Sequence, residues 1–308
     1  MKLKLLLLLF LLSIGTLSQE KQPKIGLVLS GGGAKGFAHI GVLKAIEEND
    51  LEIEYISGTS VGALVASYYA FGKSIDTLKT LSSDMSFTSL IGFKLQKQGI
   101  FSTKPIKDMI ERDIGDLNIE DAPIPLAICT TDIATGEQIV LTSGKLSDAV
   151  CASMAVPGVF IPTEIQGRVL VDGGITENVP ISILDKMGAG ITIAINLNGC
   201  PHYQAPKDLI AIMGNAIDIA IDLRTKEQIR KADLVLSLDL TSFSRLGKEK
   251  EFEELIALGY EGMSKKLNQY FWYRRTRYFF YLKKIFLLIL PVKIPDFFNF
   301  RALFKVDS

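Results

Sequence analysis

"LVLSGGGAKGFAHIGVLKAIEE", Leu27 to Glu48, is the stretch that decides the fold. Ile25 to Leu29 reads as a strand, the glycines as a tight turn, and Ala38 to Glu47 as a helix. Gly31, Gly33 and Gly36 satisfy the spacing G-x-G-x-x-G. Backbone N–H groups at the start of a helix bind anions. The loop therefore fits the pyrophosphate of a dinucleotide, with Glu52 or Glu54 placed downstream for the ribose, or an anion of another kind.

Outward from this stretch, short apolar runs alternate with amphipathic segments. Glu54 to Ile56 reads as a strand and Val61 to Phe71 as a helix. "PLAICTTDI" and "EQIVLT" read as two strands around a turn at Thr135 and Gly136, and "RVLVDGG", "GITIAINL" and "ADLVLSLDL" supply further strands. "APKDLIAIMGNAIDIAIDLRTKEQIRKA" repeats its apolar residues at helical spacing. Strands alternating with helices predict an α/β fold, a mostly parallel sheet covered on both faces. Without repeats or low-complexity linkers, residues 23–268 read as one domain.

A second motif changes what the glycine loop is for. "YISGTSVGALVASYYAF" contains Gly58, Thr59, Ser60, Val61 and Gly62, the pattern G-x-S-x-G. Between a strand and a helix this pattern forms a nucleophile elbow, in which the serine sits on a strained turn and small neighbours let strand and helix approach. A serine nucleophile needs a base. The chain has only two histidines, His39 and His202. A third candidate is Asp172 in "RVLVDGGITENVP", at the end of an apolar strand with Gly173 and Gly174 behind it. A tetrahedral oxyanion needs fixed donors, and the glycine loop offers backbone N–H groups. Glycine loop, elbow serine and aspartate then share the carboxyl edge of the sheet, where α/β ligand sites lie.

The blocks "SGGGAKGFAHIGVLKAI", "GTSVGAL", "ASMAVPGVFIP" and "VLVDGGITENVP" resemble, in this order, those of the patatin-like phospholipases, over Lys24 to Asn198. The resemblance implies a three-layer α/β/α acyl hydrolase that cleaves fatty acyl esters of lipids with a Ser–Asp dyad and needs no metal or cofactor. It implies Ser60 as nucleophile, Asp172 as base, and Gly31, Gly32, Gly33, Ala34, Lys35 and Gly36 as the oxyanion loop. Lys35 stands where many members carry Arg, and Gly174 where many carry Ala. An ordinary aspartate, with a pKa of about 4, is a weak base for a hydroxyl, so such a site relies on geometry and oxyanion stabilisation. A Ser60–Asp172–His202 triad is the alternative within the same chemistry. A nucleotide-dependent oxidoreductase and a catalytically idle lipid-binding protein are the alternatives outside it. His39 is read as a structural hydrogen-bonding residue. Pro157 and Gly158 are read as shaping a turn near the lipid cleft, and Asn178 and Pro180 as fixing the loop after Asp172.

The ends of the chain differ from its middle. "MKLKLLLLLFLLSIGTLSQE" has two lysines, a short apolar run and small polar residues, the layout of a secretory signal peptide over residues 1–18 cleaved after Gly15 or Ser18, or of an uncleaved anchor. It predicts export to a bacterial-type cell envelope, the periplasm or the medium. Residues 269–308 interleave aromatic and basic residues, which suits a membrane–water interface or a helix packed through its aromatics. The expected partners are a phospholipid or other acyl-ester lipid and a membrane surface. A net charge of +0 offers nothing to nucleic acid, and the oligomeric state is not legible. Cys129, Cys151 and Cys200 are odd in number and widely spaced, so buried thiols are expected, with neither disulfide framework nor zinc site.

Overall fold

A computed structural model of the chain describes residues 23–84, 92–96, 99–200, 203, 205–206, 209–243 and 249–289. The signal-like segment, His202 and residues 290–308 lie outside these. The described residues up to Ser264 form one compact unit, and those from Lys265 on form a second.

The first unit is built on a mixed sheet. Strands β1 (Ile25–Leu29), β2 (Tyr55–Thr59), β5 (Leu126–Asp132), β9 (Ile191–Asn196) and β10 (Leu234–Ser237) run parallel, in the order β10-β9-β1-β2-β5. Strands buried on both faces need continuous apolar runs rather than alternation, and β5, "LAICTTD", is buried at every residue. The remaining strands are antiparallel: β6 (Gln138–Leu141) and β8 (Arg168–Asp172) pair with β5, and β7 (Thr163–Ile165) pairs with β8. Gln166 and Gly167 both take positive φ, 53° and 74°, and close the β7–β8 hairpin. A separate hairpin joins β3 (Gly92–Gln96) to β4 (Gly99–Ser102).

Helices cover both faces. On one, Val28 and Ala194 pack against Val179 and against Ile181 and Leu184 of α7 (Ile181–Met187). Helix α2 (Val61–Ala70) lies against β1, β2 and β5, and α1 (Phe37–Glu48) packs on α2. The start of the long helix α9 (Phe252–Ile289) presses closely on α1. A Cβ at Gly41 would overlap the Ile256 carbonyl, and one at Gly259 the Ala38 carbonyl. Phe37 and Phe252 close this contact with ring centroids 4.0 Å apart. Helices α3 (Ile75–Asp84), α4 (Lys104–Asp113), α5 (Leu146–Ser153), α6 (Gly174–Glu177) and α8 (Leu209–Gln228) complete the chain.

Among the described residues no helix is long and apolar enough to cross a membrane. One cysteine departs from the expectation of buried thiols. Cys129 and Cys151 are buried, and burial pushes both thiols up to about 12, but Cys200 is exposed.

Candidate active site

The strand register decides what meets Ser60. Thr59, the last residue of β2, pairs with Cys129 of β5, and Asp172, the last residue of β8, pairs with Thr130. On its other edge β5 pairs Cys129 with Val140 and Thr130 with Ile139 of β6. A strand has two edges, so β2 and β8 share one. They run toward each other along it, and their carboxyl ends meet at neighbouring rungs of β5. Ser60 follows Thr59 directly, so the serine and Asp172 lie where the two strands abut. The expected single carboxyl edge of parallel strands is thereby corrected: β8 enters from the opposite direction and delivers Asp172 head-on.

The turn at Ser60 is strained. Its φ of 55° and ψ of −127° lie outside the regions open to ordinary side chains. The two glycines of the motif permit it. A Cβ at Gly58 would lie 2.5 Å from the Gly62 carbonyl carbon and 2.6 Å from Ala63 N, and one at Gly62 would overlap the Leu29 carbonyl. Thr59 anchors the turn through an Oγ1–H bond of 2.9 Å to the Glu177 carbonyl. Val61, 4% exposed, packs where a Cβ on Gly36 would sit, which ties the elbow to the glycine loop.

A segment after β6 braces both candidate catalytic residues. Ser60 N–H donates to Ser153 Oγ at 2.8 Å, and Ser153 Oγ–H donates to the Cys129 carbonyl at 2.7 Å. Two residues on, the Ala155 carbonyl accepts Asp172 N–H at 3.0 Å. Asp172 Oδ1 accepts Gly174 N–H at 2.8 Å, which orients the carboxylate. Ser60 and Asp172 are 9% and 7% exposed. The role of Ser153 escapes sequence reading because a serine near a helix end is unremarkable; its only signal is its place in "ASMAVPG".

The glycine loop lies beside the serine. A Cβ on Gly31 would come within 3.3 Å of Ser60 Cβ and 2.7 Å of Asn178 Oδ1. Residues Gly33–Gly36 form one 3-10 turn leading into α1, and Gly33 takes a φ of 61°. The first N–H groups of such a turn, at Gly32, Gly33 and Ala34, have no carbonyl within the turn to bond. Gly31 differs from the rest of the expected loop, since its N–H donates to the Asn178 carbonyl at 3.3 Å. Asn178 and Pro180 do fix the loop after Asp172, Pro180 by accepting Ser57 Oγ–H at 3.0 Å. The side chain of Asn178 is buried beside this junction, and its Nδ2 has no hydrogen-bond partner. Lys35 contributes positive charge near Asp239, whose carboxyl is held low first by the Thr241 hydroxyl and in smaller part by Lys35.

His39 is fully buried and its Nε2 lies 2.9 Å from the Ser30 carbonyl. A carbonyl only accepts, so Nε2 carries the proton. Burial lowers its pKa to about 4, partly opposed by the Ser30 bond. It therefore holds the entrance of the glycine loop as a neutral ring. Glu54 is not placed for a ribose: its carboxylate accepts Ile25 N–H at 2.7 Å, at the amino end of β1, opposite the loop. Glu52 precedes β2 on the same side. Among the described residues no group of three or more His, Cys, Asp or Glu side chains is placed to hold a metal ion.

Comparison with known proteins identifies a family and a fold. Residues 27–185 match the Patatin family model, described as patatin-like phospholipase. An uncharacterized NTE family protein of Mycobacterium bovis is 36% identical over 183 residues, 58% of this chain and 51% of that protein. Neuropathy target esterase sws of Drosophila melanogaster is 35% identical over 56% of this chain and 13% of its own length. Lysophospholipase NTE1 of Yarrowia lipolytica is 31% identical over 56% of this chain and 12% of its own. The matched stretch thus spans about half of the mycobacterial relative and a small part of the other two. VipD from Legionella pneumophila superposes with a TM-score of 0.52 at 16% identity, covering 81% of this chain and 67% of VipD. At that identity it shows a shared fold alone.

Proposed function

The chain belongs to the patatin-like phospholipase family, and from that premise we propose that it is a lipid acyl hydrolase acting through a Ser60 acyl-enzyme. The observation that carries the proposal is the head-on meeting of β2 and β8, which brings the strained Ser60 and the oriented Asp172 together beside a helix N-terminus. The substrate class is a fatty acyl ester, with a lysophospholipid favoured because relatives are named as a lysophospholipase and an esterase.

In this reading Asp172 takes the Ser60 hydroxyl proton as Oγ attacks the ester carbonyl carbon. Negative charge develops on the former carbonyl oxygen, where N–H groups of Gly32, Gly33 and Ala34 receive it. The ester C–O bond breaks, and the alcohol leaves with the proton held by Asp172. Water then attacks the acyl-enzyme, gives its proton to Asp172, and releases the fatty acid as the proton returns to Ser60. The brace through Ser153 and Ala155 keeps the two reacting groups in place, the contribution that matters most when the base is a carboxylate.

The test is fatty acid release from lysophosphatidylcholine by the full chain. Wild-type turnover should fall at least about a thousandfold in Ser60→Ala and in Asp172→Asn, and stay within about threefold in His202→Ala. A collapse in His202→Ala replaces the dyad with a triad; unchanged turnover in Ser60→Ala removes the Ser60 acyl-enzyme, and no release by wild type removes the hydrolase reading. The signal-like start and the aromatic, basic tail support an exported, membrane-peripheral location for the enzyme.

A further inference from the structure

Helix α8 is apolar on its outer side as well as at the inward Ile221, which a helix that simply covers a core is not. Surface helices turn apolar residues inward and polar residues outward. Here Asp222 and Thr225 are buried, 4% and 2% exposed, with Asn215 and Asp218 half-buried on the same side. The buried Asp222 carboxylate accepts Asn198 Nδ2–H at 3.0 Å and Tyr203 O–H at 2.6 Å. The outward stripe carries Ile212 at 52% exposure, Ile219 at 41% and Leu223 at 65%, with Ala216 between them. The spacings of four, three and four residues from Ile212 through Ala216 and Ile219 to Leu223 place this stripe along one side of the helix.

Two observations say what covers this stripe. The first is continuity with the site. From the same helix Ile221 Cδ1 lies 3.3 Å from where a Cβ on Gly174 would stand, and Met213 Cε 3.7 Å from one on Gly158. Arg224 and Gln228 donate to the Ile175 and Thr176 carbonyls, both at 3.1 Å, so α8 is fastened to the turn that follows Asp172. The second is charge. Exposed Arg224, Lys226, Arg230 and Lys231 follow the stripe, against Glu227 and Asp233. An apolar helix face ended by basic residues fits the acyl boundary of a lipid layer with anionic head groups above it.

We propose that the outer face of α8 is the surface on which the protein sits on an anionic phospholipid layer, with the Ser60 site at its edge. The proposal rests on the acyl hydrolase reading, which is what makes lipid the chosen occupant. Seated this way, the enzyme meets an acyl ester at the layer without waiting for it to leave into water.

The test uses the full chain and vesicles of phosphatidylcholine and phosphatidylglycerol. The triple variant Ile212→Gln, Ile219→Gln, Leu223→Gln should bind these vesicles at least about tenfold more weakly. Its hydrolysis of a soluble short-chain ester should stay within about twofold of wild type, because these side chains are exposed. Unchanged vesicle binding overturns the proposal, and so does a wild-type dimer that the triple variant dissolves while vesicle binding is absent in both. A second measurement does not depend on how the triple variant folds. With Leu223→Trp in a Trp272→Phe background, vesicles should shift the emission to the blue and brominated acyl chains should quench it; no change overturns the proposal. A wild-type protein that hydrolyses neither the soluble ester nor lysophosphatidylcholine sinks the hydrolase reading, whereas vesicle binding that ignores the α8 substitutions sinks this proposal alone.

Discussion

At the scale of single residues, the site depends on groups that perform no chemistry. His39 is one of them. Its ring is buried and neutral, with a pKa of about 4 against 6.5 when unperturbed. Below pH 6.5 the unfolded chain takes up a proton that the folded chain refuses, so stability is full above that pH and falls as pH drops from 6.5 toward 4. The shift corresponds to about 3 kcal/mol, as an order of magnitude. Urea unfolding across this window should show the loss in wild type and a flatter profile in His39→Gln; equal slopes would remove His39 as its source. Ser60 and Asp172 were legible in the sequence because each stands in a motif whose backbone demands are visible as glycines. Ser153 and Ala155 were not, because a hydrogen bond from a helix end to another strand leaves no local pattern.

At the scale of elements, most of the sheet was legible and its order was not. The strands β1, β2, β5, β6, β8, β9 and β10 are apolar runs bounded by turn residues, a pattern visible in the sequence. β7 has three residues and no apolar excess, and β3 with β4 forms a hairpin off the main sheet, so periodicity had too little to work on. Nor does an apolar run say in which direction it enters a sheet, which is why the head-on approach of β8 could not be read. Helix α8 shows a related limit: spacing reveals an apolar stripe but not whether protein lies under it. Close approach by contrast is written in glycine. At Gly62 a Cβ would overlap the Leu29 carbonyl, and at Gly259 the Ala38 carbonyl, both rigid backbone. Gly62→Ala and Gly259→Ala should each cost about 1–3 kcal/mol in chemical denaturation. Gly62→Ala alone should also impair turnover, since it lies in the elbow; equal activity loss in both would show that the two act through general instability.

At the scale of the whole molecule, one α/β unit carries the glycine loop, the elbow and the aspartate, and the family match over residues 27–185 covers all three. In the proposed seating, the apolar outer face of α8 is the boundary between this site and a lipid layer. Every step of the proposed reaction follows from Ser60 as the nucleophile. Reaction of the folded full chain with a fluorophosphonate, followed by peptide mass spectrometry, tests it most directly. A single stoichiometric adduct is expected on Ser60, absent in Ser60→Ala and slowed at least about a hundredfold in Asp172→Asn. An adduct on another residue, or a folded wild-type protein that takes up no label, would contradict it.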